Sequence, residues 1–74
     1  MSNKNIIIYC CKRKLYKDGL LIKEIERKLF NSECELMDYY NYQIPDAHEK
    51  IEALVYIDSN QRTLCEKGEK IIGG

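Results

Sequence analysis

Apolar positions gather in a few short clusters, each with its own spacing. Ile6-Ile7-Ile8-Tyr9-Cys10-Cys11 is a continuous run led by three β-branched residues. It has neither helical spacing nor alternation, the pattern of a strand buried on both faces. Lys12 to Gly19 is polar, basic and closed by Asp-Gly, which predicts a loop with Asp18 as N-cap or first-turn acid of a helix. Leu20, Leu21, Ile25, Leu29 and Phe30, with Ile22 between, then recur at near-helical spacing. Lys23, Glu24, Glu26, Arg27 and Lys28 fill the other positions. This predicts an amphipathic helix from about residue 19 to 31, stopped by Asn31-Ser32.

The Tyr-rich stretch Cys34 to Tyr42 predicts a second strand, near a sheet edge. Gln43-Ile44-Pro45-Asp46 is a break, and Pro45 followed by Asp46 suits the start of a short helix ending at Glu52. Ala53-Leu54-Val55-Tyr56-Ile57 is another apolar β run. Asp58 to Gln61 has turn chemistry, and Arg62 to Glu66 returns as the second arm of a hairpin. Glu69 to Gly74 is a tail. The predicted order is β-α-β-α-β-β, an α/β fold with a parallel pair at its centre, an antiparallel terminal edge and helices packed on the sheet.

The 74 residues suffice for one domain, spanning 1–74. Such a domain buries only about 60% of its unfolded surface. No apolar run reaches the roughly 20 residues that span a bilayer, so no membrane association is expected. The apolar run after the N-terminus is too short for a signal sequence. These features predict a cytoplasmic protein with reduced cysteines.

Net charge is zero but unevenly spread. Lys12 to Lys28 carries seven basic residues against three acids, and Asn31 to Asp58 carries seven acids against Lys50. This argues against a uniformly basic nucleic-acid binder and favours a dipolar molecule steered toward a protein or an anionic small ligand. The plainer alternative is two solvated faces.

Cys10 and Cys11 are the candidate catalytic residues. Beside Lys12, Arg13 and Lys14, and ahead of a helix N-terminus, either thiol would be activated. The alternative is a pair of buried core cysteines. The cysteines and His48 lack zinc-site spacing, so no metal is expected. Two binding surfaces stand out: the basic loop Lys12, Arg13, Lys14 and Lys17, and the tyrosines Tyr39, Tyr40 and Tyr42 among acids.

Some segments resemble the thioredoxin and glutaredoxin family. Ile7-Ile8-Tyr9 is similar to its first strand, Leu20 to Ile25 to the helix after its active site, and Ala53 to Asp58 to its third strand. Gly68 to Gly74 resembles its glycine-ending segment. The resemblance implies a thioredoxin-like mixed sheet. The family's Cys-x-x-Cys would fall at Lys14 to Lys17 and its cis-proline near Glu52-Ala53, and neither is present. The expectation is therefore a small non-catalytic binding protein without a cofactor. An alternative is a divergent thiol-disulfide oxidoreductase using glutathione. A second is a winged-helix DNA-binding protein, because Ile51 to Ile72 also resembles a wing and final helix. Ile, Lys, Asn and Tyr supply 30 of the 74 residues, a composition common in AT-rich genomes. Small charged domains from such genomes include phage accessory proteins that inhibit host machinery, and the analogy suggests an inhibitor.

Overall fold

The structure, a computed structural model, describes residues 6–68. Strand β1 (Ile7–Lys17) turns back into β2 (Leu20–Phe30). Helix α1 (Glu33–Tyr42) comes next, and β3 (Glu49–Ile57) turns back into β4 (Asn60–Gly68). The sheet order is β2-β1-β3-β4 and every neighbouring pair is antiparallel.

This overturns the expected α/β thioredoxin-like mixed sheet. The central strands β1 and β3 are antiparallel, not a parallel pair. The segment expected as a loop, 12–19, continues β1 to Lys17 and then turns. The segment expected as a helix, 19–31, is strand β2. The segment expected as a strand, 34–42, is α1. The short helix expected over 46–52, which the winged-helix alternative needed for recognition, is a turn and the start of β3. The terminal hairpin forms, with longer arms than expected. The tail Glu69 to Gly74 and residues 1–5 lie outside the described residues.

The local chemistry explains each change. Asp18-Gly19 has φ of 55° and 81°, and Asp58-Ser59 has 51° and 74°. Two-residue turns with positive φ at both positions follow the type I′ pattern, whose twist matches paired strands. Ser32 caps α1, its hydroxyl accepting the Glu35 N–H at 3.2 Å, with Glu33 and Glu35 in the positive first turn. The Gln43 N–H closes the helix by donating to the Tyr39 and Tyr40 carbonyls.

Strand alternation gives the sheet two faces. Tyr9, Cys11 and Arg13 lie opposite Val55, Ala53 and Ile51. On this side Leu36 and Tyr40 of α1 pack with Cys11, Ile51 and Ala53, flanked by Phe30, Met37 and Cys65. The other side presents Cys10, Lys12 and Lys14 opposite Leu54, Glu52 and Lys50. No helix of the described residues covers it, yet Lys12, Lys50 and Glu52 are only 9%, 8% and 7% exposed.

Ion pairs laid along the surface close that face. Glu52 sits between Lys14 Nζ at 2.9 Å and Lys50 Nζ at 3.5 Å, and Lys50 reaches on to Glu66 at 2.9 Å. Lys12 pairs with Glu24 at 3.8 Å, which also holds Arg27 at 3.0 Å. Lys12 and Lys50 lie over the rings of Tyr56 and Tyr16. The lysine stems roof the apolar floor, and the ammonium groups stay at the rim.

Glu52 Oε1 is buried and accepts no well-aligned hydrogen bond, so its contact with Lys14 is ionic. Removing one member of a buried pair leaves the other charge stranded. Glu52→Ala is expected to cost about 3 kcal/mol, read as a lower urea midpoint at unchanged slope. A midpoint equal to wild type would mean that the ladder does not hold the face.

Candidate functional site

The structure distributes the predicted site residues over both faces of β1. Cys10 points to the helix-free face, at the floor of a shallow depression of about 250 Å³ lined also by Ile8, Arg27, Leu29 and Tyr56. Cys11 points the other way, into the core under α1. Burial pushes both thiols up, and Cys11, further raised by its neighbour Cys10, reaches about 11. Lys12 and Arg13 pull in the opposite direction but do not win. A nucleophilic thiol needs a shift the other way.

The basic run is divided in the same manner. Lys12 and Lys14 belong to the ion ladder. Arg13, on the helix side, is a clamp. Its guanidinium donates to the Glu49 carboxylate, to Gln43 Oε1 at 2.8 Å and to the Ile44 carbonyl at 3.4 Å. Glu49 also accepts the Asp46 N–H at 3.0 Å. That hydrogen bond first, and Arg13 second, hold the Glu49 carboxyl below its usual range. Arg13 thus ties the α1–β3 connection to the sheet. Lys17 alone of the four is exposed, beside the β1–β2 turn.

The three tyrosines sit on α1 instead of a strand, and they diverge. Tyr40 is buried in the core. Tyr39 stacks at 5.2 Å on Phe30, donates to Glu26 at 3.0 Å, and carries Lys28 Nζ 5.0 Å above its ring. Tyr42 is 84% exposed. They do not form one surface.

A surface not anticipated from the sequence lies along β2. Leu20, Leu21, Ile22, Ile25 and Leu29 are between 42% and 69% exposed, all on one edge strand. The pairing with β1 shifts register twice, between Arg13 and Lys14 and between Leu15 and Tyr16. Ile25 and Ile22 are the residues left without a partner there. A bulge interrupts the ladder and re-aims its extra side chain. At the turn end, a cleft of about 640 Å³ is lined by Leu15, Tyr16, Lys17, Asp18, Ile22 and His48. Leu15, Tyr16 and Ile22 give it an apolar wall, and Lys17, Asp18 and His48 its polar groups. Asp18-Gly19, a two-residue pair suited to a type I′ turn, was the signal that could have revealed this hairpin.

Among the described residues no group of three or more His, Cys, Asp or Glu side chains is placed to hold a metal ion. None of their helices is long and apolar enough to cross a membrane. None of the family models, curated proteins or solved structures compared with this chain matches it.

Exposure orders the cysteines. Cys34 stands exposed on the first turn of α1, while Cys10 and Cys11 are buried. Iodoacetamide at neutral pH is expected to label Cys34 first. Cys10 and Cys11 should label only on unfolding, which peptide mass spectrometry resolves. Prompt labelling of either in the folded protein would show an activated thiol.

Proposed function

We propose that this protein is a non-catalytic module that binds another protein through the exposed aliphatic edge of β2. The observation that carries this is the row Leu20, Leu21, Ile22, Ile25 and Leu29 standing exposed on a single edge strand. An exposed, long and apolar edge is a liability unless something covers it. The centres of both sheet faces are already engaged, one by α1 and the other by its own ion ladder. The buried, raised thiols support binding over thiol chemistry. A module of this kind acts by occupying a surface of its partner, which suits an accessory or inhibitory role. All four cysteines are free thiols, consistent with action in the reducing cytoplasm.

The test is affinity capture from the source cell with wild type and with an Ile22→Asp, Ile25→Asp double variant. The variant must first keep the wild-type melting curve, which the exposure of both positions allows. Wild type should recover a stoichiometric protein, and the variant should bind it at least about tenfold more weakly. A partner held equally by both, or none held by wild type, overturns the proposal.

A further inference from the structure

The charges along the β2 edge are not balanced. Its two acids are already engaged. Glu24 is held by Arg27 at 3.0 Å and by Lys12 at 3.8 Å, and Glu26 accepts the Tyr39 hydroxyl at 3.0 Å and faces Arg13 at 4.0 Å. Its lysines lack such ion pairs among the described residues. Lys23, Lys28 and, at the turn, Lys17 have no carboxylate within ion-pair distance among the described residues. Lys28 is held over the Tyr39 ring, and Lys17 lines the apolar cleft. Against these three cations the edge carries one acid without an ion pair among the described residues, Asp18, an excess of two positive charges on the α1 side of the strand, shared with Leu20, while Leu21 and Leu29, opposite Tyr16 and Cys10, lie on the other side.

The register tells which side the lysines occupy. Lys28 lies opposite Cys11 and Lys23 opposite Leu15, so both are on the α1 side of the sheet. A second copy of this chain paired edge to edge about a two-fold between Ile25 and Glu26 would set Lys23 against Lys28, and like charges in contact disfavour that register. The two bulges also deny an incoming strand a regular ladder between Leu21 and Glu26. The edge is therefore shaped to be met by side chains.

From the excess charge, the cleft and the bulges we infer that the partner presents an amphipathic acidic segment. An aliphatic or aromatic anchor of that segment fills the cleft at Leu15, Tyr16 and Ile22. Its carboxylates face Lys17, Lys23 and Lys28. This deepens the proposed function and rests on the β2 edge being the docking surface. The charges supply steering and specificity, and the aliphatic row supplies contact area.

Two synthetic peptides test it. They have the same length and the same leucine positions at helical spacing, one with glutamates elsewhere and the other with lysines. Each is titrated into the isotope-labelled full chain and monitored by amide chemical shifts. The glutamate peptide should shift the amides of Leu15, Lys17, Ile22, Lys23, Ile25 and Lys28, and bind about tenfold more tightly than the lysine peptide. Added salt should weaken it. The triple variant Lys17→Glu, Lys23→Glu, Lys28→Glu should prefer the lysine peptide. Equal binding of both peptides, an unchanged preference in the triple variant, or no shift along β2 overturns the inference. The double variant at Ile22 and Ile25 separates the two levels. If it abolishes binding while the charge variant changes nothing, the docking surface stands and only the acidic partner falls. If it binds as wild type does, the surface itself is wrong.

Discussion

Glu52, lying between Lys14 and Lys50 on a sheet face that no helix covers, is the interaction on which the rest of the described structure depends. The described residues of this small domain supply one helix for a sheet with two faces. Helix α1 takes the side of Cys11, Ile51 and Ala53. The opposite side holds Leu54 and Cys10 with almost no exposure. Long ionic side chains cover them, their stems packed and their heads cross-paired. Charges so buried are costly unless each has a partner, and the alternation Lys12, Lys14 against Glu52, with Glu24 and Glu66 on the flanking strands, supplies those partners. The result is a face covered at its centre without a second layer, with Ile8, Leu21 and Leu29 left exposed toward its margins.

With that face covered at its centre, exposed aliphatic side chains lie at the rim. Both edge strands carry a bulge against their inner neighbours, and the residue left over is aliphatic each time: Ile22 and Ile25 in β2, Leu64 in β4. Bulges are a common means of keeping a sheet from adding strands without limit. Here they also turn apolar side chains outward. An edge with an interrupted ladder, aliphatic side chains and lysines without ion pairs among the described residues fits the proposed partner better than polymerisation.

The sequence carried more of this than its apolar runs suggest. The apolar β character of Ile6 to Cys11 and of Ala53 to Ile57 was legible, as was the turn at Asp58-Ser59, because β-branched runs and turn residues are local signals. The second strand was not. Its two bulges break the period of two, and Leu21, Ile22, Ile25 and Leu29 then fall at spacings that imitate a helix. The Asp18-Gly19 pair was visible, but the basic run before it hid a regular alternation across two faces. In α1, Tyr39, Tyr40 and Tyr42 read as strand formers, and Ser32 with Glu35 was the better guide, since it is a capping pattern. The candidate site was legible in part. Lys17 lines the cleft at the turn end of β2. Cys10, Cys11, Arg13 and Tyr40 are adjacent in kind or sequence to functional patterns but are placed by packing, and packing partners from distant strands are not readable from neighbours along the chain.

The most direct check of a free, cationic β2 edge is sedimentation equilibrium of the full chain from micromolar to millimolar concentration, paired with amide hydrogen exchange at both ends of that range. A monomer throughout, with β2 amides exchanging faster than those of β1 and β3 at every concentration, is expected. A dimer that forms with concentration and protects the β2 amides would contradict it, because the edge would then be covered by a second copy.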